Sequence, residues 1–217
     1  MYKNLTYLIK HSAVILVILF FVRICFAIAF VPMSIISNNL AVFPHLLFNV
    51  FRFDLQVICY VLLLPTVLTF IFAAIRKSWT ECVLSRFRRL YFSIISTLLL
   101  AISGIDMGFY DNFNSHINIT FFDFFNEGPM GLIQTIWEEY HCVYEAIAFL
   151  LILSPVLLLI RRIELSKSSS RHPLHSTSRQ PLSRFEITKL SATILLYLTF
   201  LVIGLRGSVW RFPLQIE

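Results

Sequence analysis

Apolar residues run along this chain in long blocks broken by short polar ones. Crossing a bilayer as a helix takes about 20 consecutive residues that are mostly apolar. Five blocks meet or approach that length: Ser12 to Val31, ended by Pro32; Asp54 to Ile75; Leu90 to Ile105; His141 to Ile160; and Leu190 to Leu205. The third and fifth are near the short limit and are expected to draw in flanking residues. Asn39 to Asp54, rich in Phe and Leu with Pro44 near its start, reads as a helix lying in the outer interface or as the early turns of span two. The expected fold is all-α: a polytopic membrane protein of five transmembrane helices, with an interfacial helix and an aromatic-rich outer loop. Residues 1–217 form one transmembrane domain in this reading.

Composition agrees. The 217 residues are 58% hydrophobic, 15% aromatic and 14% charged, against about 25% charged in a soluble domain. The net charge of +6 does not point to nucleic acid, because Lys and Arg sit in short stretches between apolar blocks, a pattern set by topology and by anionic lipid. Cys25, Cys59, Cys82 and Cys142 form no Cys-x-x-Cys pair, so neither a disulfide framework nor a zinc site is expected. Lys3 and Lys10 before an apolar run resemble a signal peptide, but no small-residue cleavage pattern follows and Arg23 interrupts the run. The first span is therefore read as retained.

The polar stretches orient the spans. Fourteen of the 18 basic residues lie before span one, between spans two and three, or between spans four and five. The positive-inside rule makes that side cytoplasmic. The opposite side carries Met107 to Tyr140, with Asp111, Asp123, Glu127, Glu138 and Glu139, many aromatic residues and no Lys or Arg. Such aromatics favour the headgroup layer. The N-terminus is thus expected in the cytoplasm and the C-terminus outside. The Ser-, Pro- and Arg-rich stretch within 163–189 is expected to be a disordered cytoplasmic loop near anionic headgroups.

Charges inside the apolar blocks are the candidates for function. Arg23, near the middle of span one, costs at least about 2.5 kcal/mol at bilayer depth unless paired or snorkelled. It is expected either to pair with an acid on a neighbouring helix, Glu145 or Asp106, or to line a pocket for a phosphate headgroup. Arg52 and Asp54 are two apart and do not face each other on a helix, so they serve different neighbours. Arg52, on the outer side, suits an anionic headgroup. No Gly-x-Ser-x-Gly, phosphate-cradling loop, His-Glu-x-x-His or Cys/His cluster is present. No catalytic residue and no metal ligand is therefore assigned; His116 and His141, on the outer side, lack ligand spacing.

Three segments carry a resemblance: "FRFDLQVICYVLLLPTVL" (Phe51 to Leu68), "GIDMGFYDNFNSHINITFFDFF" (Gly104 to Phe125) and "GLRGSVWRFPL" (Gly204 to Leu214). In order and spacing they resemble the membrane domain of the lipoteichoic-acid-synthase-like phosphoglycerol transferases, of the sulfatase/alkaline-phosphatase superfamily. The resemblance departs at His116-Ile117-Asn118, where the family has Arg-Leu-Asn, and at Phe212, which separates Arg211 from Pro213. It implies a bacterial cytoplasmic (inner) membrane location. It also implies an external catalytic domain after residue 217, absent from this sequence, which would hold a divalent metal (Mn, Mg or Zn) and a Thr or Ser nucleophile. No cofactor is expected in this chain. The chain would be a lipid-presenting anchor for a phosphoglycerol or phosphoethanolamine transferase acting on envelope glycans or lipids, a truncated or split form inactive alone. Its partners would be membrane lipids, anionic phospholipids among them, and a separate extracytoplasmic catalytic domain. Lipid or docking candidates are Arg23, Arg52, Asp54, Asp106, Tyr110, Asn118, Glu145 and Arg206. The alternative is an independent small multi-spanning transporter or a membrane assembly subunit, in which Pro65 and Pro155 interrupt spans two and four.

Overall fold

The structure is a computed structural model describing residues 2–38, 41–75, 79–118, 142–169 and 184–206. Among them the chain is helical: α1 (Tyr2–Phe30), α2 (Met33–Asn38), α3 (Phe43–Ile75), α4 (Thr80–Phe113), α5 (Cys142–Ser169) and α6 (Arg184–Arg206). Four helices contain stretches long and apolar enough to cross a membrane: Asn4–Phe30, Phe43–Ile75, Thr80–Phe113 and Val143–Leu165. The apolar part of α6, Ser191–Arg206, is shorter, so five spans are not established.

Solvent exposure is inverted relative to a soluble bundle. Ile28, Leu195 and Leu196 are 70% exposed or more, while His11, Asp54, Thr69, Arg88, Ser96 and Glu164 are buried. A water-soluble chain could not leave so much apolar surface uncovered. In lipid the same arrangement is favourable, since polar groups must find partners inside the bundle. The chain is a multi-pass membrane protein.

The helices are longer than the apolar blocks. α4 has 34 residues, about 51 Å at 1.5 Å per residue. It takes in Arg86, Arg88 and Arg89 at one end and Met107 to Phe113 at the other. Those arginines, read from sequence as lying between spans, are helical. Arg161, Arg162 and Glu164 likewise belong to α5. Phe43 to Asp54 is not a separate interfacial helix but the first turns of α3. Of the 163–189 stretch, both ends are helical and 170–183 lies outside the described residues. So do most of the aromatic loop (119–141) and the Arg-Gly segment after α6 (207–217).

Contacts fix the directions. Asn4 of α1 meets Glu81 of α4, and Phe26 of α1 meets Tyr110 of α4, so α1 and α4 run parallel. Arg23 late in α1 meets Asp54 early in α3, so α3 is antiparallel to both. Tyr60 meets Leu205 and Thr66 meets Tyr197, which sets α6 antiparallel to α3. His11 near the start of α1 faces Glu164 near the end of α5, so α5 also runs against α1. α1, α3 and α4 pack on one another, α5 covers α1 and α4, and α6 packs on α3. The core between the two ends is mostly apolar, including Ile15, Ile18, Ile58, Leu62, Phe92 and Leu100, with Ser96 and the Thr66–Tyr197 hydroxyl pair buried within it.

Both prolines expected to interrupt spans lie within continuous helix. Pro65 has no N–H to give Val61, four residues back. The Tyr91 hydroxyl of α4 donates to the Val61 carbonyl instead, at 2.8 Å. Pro155 leaves the Leu151 carbonyl in the same position, and the Ser154 hydroxyl donates to it at 3.3 Å. In lipid a freed carbonyl needs such a partner.

Close approach of α6 to α3 depends on Gly204. A Cβ there would collide with the Cys59 sulfur and lie 3.2 Å from the Cys59 Cβ. Small residues at such crossings are how membrane helices approach one another.

Candidate functional site

Two polar layers occupy opposite ends of the bundle. The Asp106 end holds most of the candidates found by sequence. α4 stops because Asn114 takes the left-handed conformation (φ 50°) and donates its N–H to the Tyr110 carbonyl, a residue type that tolerates this region. The chain then turns back, so that His116 and Ile117 reach Asp106, some ten residues earlier. The Ile117 N–H donates to Asp106 Oδ1 at 2.8 Å, and His116 Nδ1 lies 2.8 Å from Asp106 Oδ2. The carboxylate is thereby held at both oxygens.

Aromatic rings form the floor. The His116 ring stacks on Phe26 at 5.1 Å and 27° and lies 5.2 Å from Tyr110. Tyr110 in turn meets Phe26 and Phe30 edge-on, at 4.8 and 5.0 Å. Pairs of this kind contribute about 0.5–1.5 kcal/mol each beyond area burial, and together they fix α1, α4 and the returning chain.

One turn below Phe26 on α1, Arg23 makes a fork with Asp54 of α3. Nε lies 3.1 and 3.0 Å from the two carboxylate oxygens, and NH2 lies 2.6 Å from Oδ1. The Arg23 side chain is 45% exposed and Asp54 9%. The pairing expected from sequence, an acid on a neighbouring helix, is present with a different acid. Asp106 is taken by His116, and Glu145 is exposed at the start of α5. Asp54 wins because α3 runs antiparallel to α1 and brings its early turns level with Arg23. Arg52, two residues from Asp54, is half-buried and has other contacts; Asn118 and Arg206 are exposed. The structure thus joins Arg23 to Asp54 and Asp106 to Tyr110 through His116, and leaves Glu145 and Arg206 outside both groups.

The opposite, Glu164 end was not anticipated. Arg88 Nε donates to Glu164 Oε1 at 2.8 Å and NH2 to Oε2 at 3.2 Å, while the Ser85 hydroxyl donates to Oε2 at 2.7 Å. Both charged side chains are fully buried. His11 stacks on Phe92 at 4.4 Å, binds the Tyr7 carbonyl through Nδ1 at 2.6 Å and has Nε2 3.8 Å from Glu164 Oε1. The Arg88 guanidinium also lies over the Tyr7 ring at 5.6 Å. One signal was legible: Glu164 is an isolated acid among Arg161, Arg162 and Lys167.

Among the described residues no group of three His, Cys, Asp or Glu side chains could hold a metal ion. No family model, curated protein or solved structure matches the chain.

Proposed function

We propose that the chain is a membrane-embedded anchor that presents the headgroup of an anionic phospholipid at the Asp106 end of its bundle, to a transferase domain outside the membrane. The carrying observation is the convergence there of a forked, half-exposed Arg23, an anchored Asp106–His116 pair and an aromatic floor. Arg23 NH1 is not used by Asp54 and suits a phosphate oxygen. The bundle alternates in direction, so the starts of α1, α4 and α6 share the Lys- and Arg-rich end. With α6 as a fifth span, the positive-inside rule makes that end cytoplasmic and the Asp106 end extracytoplasmic. The tie to phosphoglycerol transfer in a bacterial envelope rests on the three resembling segments.

The test is lipid selection. Protein in nanodiscs of mixed phosphatidylglycerol and phosphatidylcholine is expected to retain the anionic lipid through delipidation. The double variant Arg23→Gln/Asp54→Asn, which leaves no buried carboxylate stranded, is expected to lose about tenfold in that preference, the equivalent of about 1.5 kcal/mol for one charge-assisted hydrogen bond. Equal retention by both proteins overturns the reading. A transporter reading is favoured by one observation, the buried Arg88–Glu164 pair, since intramembrane charges often line transport paths. The core between the two polar layers holds hydroxyls but no charged side chain among its buried residues, which supports the anchor instead.

A further inference from the structure

We propose that Asp106 and His116 form an oriented dyad in which His116 Nε2 accepts the proton of a hydroxyl group brought to this end of the bundle. The argument begins with the carboxylate. Asp106 is fixed by the Ile117 N–H at one oxygen and faces His116 Nδ1 with the other, each at 2.8 Å. A carboxylate accepts, so Nδ1 carries the ring hydrogen, and the neutral imidazole keeps its lone pair on Nε2. Exposure falls the right way: Asp106 is 26% exposed, and His116 is 64% exposed.

An ion pair alone would satisfy the two charges with the ring at any angle. Here the ring plane is also set, by the Phe26 face at 5.1 Å and by Tyr110 at 5.2 Å. A base oriented by a third group, with its reactive nitrogen open, is the arrangement that proton transfer requires. Asp106 is the positioning residue and His116 the group that touches substrate.

The substrate class rests on the headgroup reading: a hydroxyl of a polyol headgroup or glycan end, reacting with the phosphodiester of a lipid. The hydroxyl O–H bond breaks as its oxygen bonds phosphorus, and the proton passes to Nε2. Asp106 stays ionised and balances the imidazolium. The bond from phosphorus to the original alcohol then breaks, and Nε2 returns the proton to that leaving oxygen. One alcohol replaces another on phosphorus with no change of oxidation state.

The proton-accepting nitrogen can be read without knowing the acceptor. Carbethoxylation by diethyl pyrocarbonate attacks neutral imidazole, and mass spectrometry locates the product on the intact protein in nanodiscs. His45, exposed on α3 and bonded to the Asn49 amide at 3.2 Å, is the internal reference. At mildly alkaline pH, His116 is expected to react about tenfold faster than His45, less than the roughly hundredfold at the low end for a positioned base in catalysis. Asp106→Asn is expected to bring the two rates together, and Asp106→Glu, which keeps a carboxylate, to retain most of the difference. A purely structural ion pair predicts the reverse: His116 held protonated and slow, and released by Asp106→Asn. That result, equal rates in the unaltered protein, or equal loss in both Asp106 variants overturns the dyad. Lipid selection by the Arg23/Asp54 double variant is scored separately, so a slow His116 with intact phosphatidylglycerol retention refutes the dyad alone.

Discussion

Glu164→Ala is expected to destabilise the bundle by about 3–5 kcal/mol, the range for breaking a buried ion pair by removing one partner. The structure says why the upper class of effect applies. Glu164 accepts two bonds from Arg88 and one from Ser85, and the Arg88 side chain has no exposure through which to recover water. If only hydrogen bonds mattered, three bonds at a membrane average of about 0.6 kcal/mol would total about 2 kcal/mol. A larger loss therefore reports the stranded guanidinium. The double variant Arg88→Met/Glu164→Leu removes both charges and fills the space. It is expected to recover most of the loss, because apolar replacement of a buried pair is often neutral. Thermal unfolding in detergent is the assay, with about 2–4 °C per kcal/mol for a chain of this size. Glu164→Ala should fall by about 6–20 °C on that scale. Glu145→Ala, at an exposed site, should stay within about 0.5 kcal/mol of the parent. A double variant no better than Glu164→Ala alone would refute the stranded-charge reasoning.

Exchanging the partners, Arg23→Asp with Asp54→Arg, should restore the membrane insertion lost in either single variant, while the corresponding exchange of Arg23 with Glu145 should restore none; quantitative immunoblotting of membrane fractions distinguishes them. Tyr91→Phe should cost about 1–2 kcal/mol by orphaning the Val61 carbonyl, but nearly nothing in a Pro65→Ala background, where the helix supplies the missing N–H; a thermal-stability double-mutant cycle reads the difference. Gly204→Ala should lose about 1–3 kcal/mol from overpacking and loosen α6 from α3, and Cys59→Ala in the same chain should return only part, because the Cys59 Cβ still lies 3.2 Å away; the readout is unfolding midpoint.

The helices were legible because apolar length alone marks them, but their ends were not. Span three was drawn from Leu90, yet α4 begins at Thr80. Arg86, Arg88 and Arg89 look like a loop on charge density, and nothing in one sequence reveals that Arg88 turns inward to a carboxylate 76 residues away. The phenylalanines from Phe43 fit either a surface-lying helix or the early turns of span two, and α3 takes them as the second. That Arg23 needed an acid was readable from its depth. Which acid depended on the antiparallel register of α1 and α3, information carried by packing. In the sequence His116 stands out as a departure from a motif and as an outer histidine without ligand spacing; the left-handed Asn114 that returns it to Asp106 is visible in the backbone alone.

Exposure explains why the two side-chain pairs at the Asp106 end differ in chemistry. Along α4, Arg88 and Asp106 are 18 residues apart, about 27 Å, close to the roughly 30 Å hydrocarbon core. One rigid helix therefore places the Glu164 layer and the Asp106 layer near opposite interfaces. α1 runs parallel to it: His11 stacks on Phe92, 14 residues or about 21 Å before Asp106, and Arg23 is 12 residues or about 18 Å beyond His11. Arg23 thus lies within about one turn of the Asp106 level. Packed against α3, the Arg23 guanidinium is neutralised by its fork with a 9% exposed Asp54. His116 sits a level higher and is 64% exposed. There the imidazole ring faces outward while Asp106 keeps it in place. Fixed charge below and an oriented imidazole above is the order needed to hold the phosphodiester of one lipid at Arg23 while the attacking hydroxyl of a second molecule meets His116.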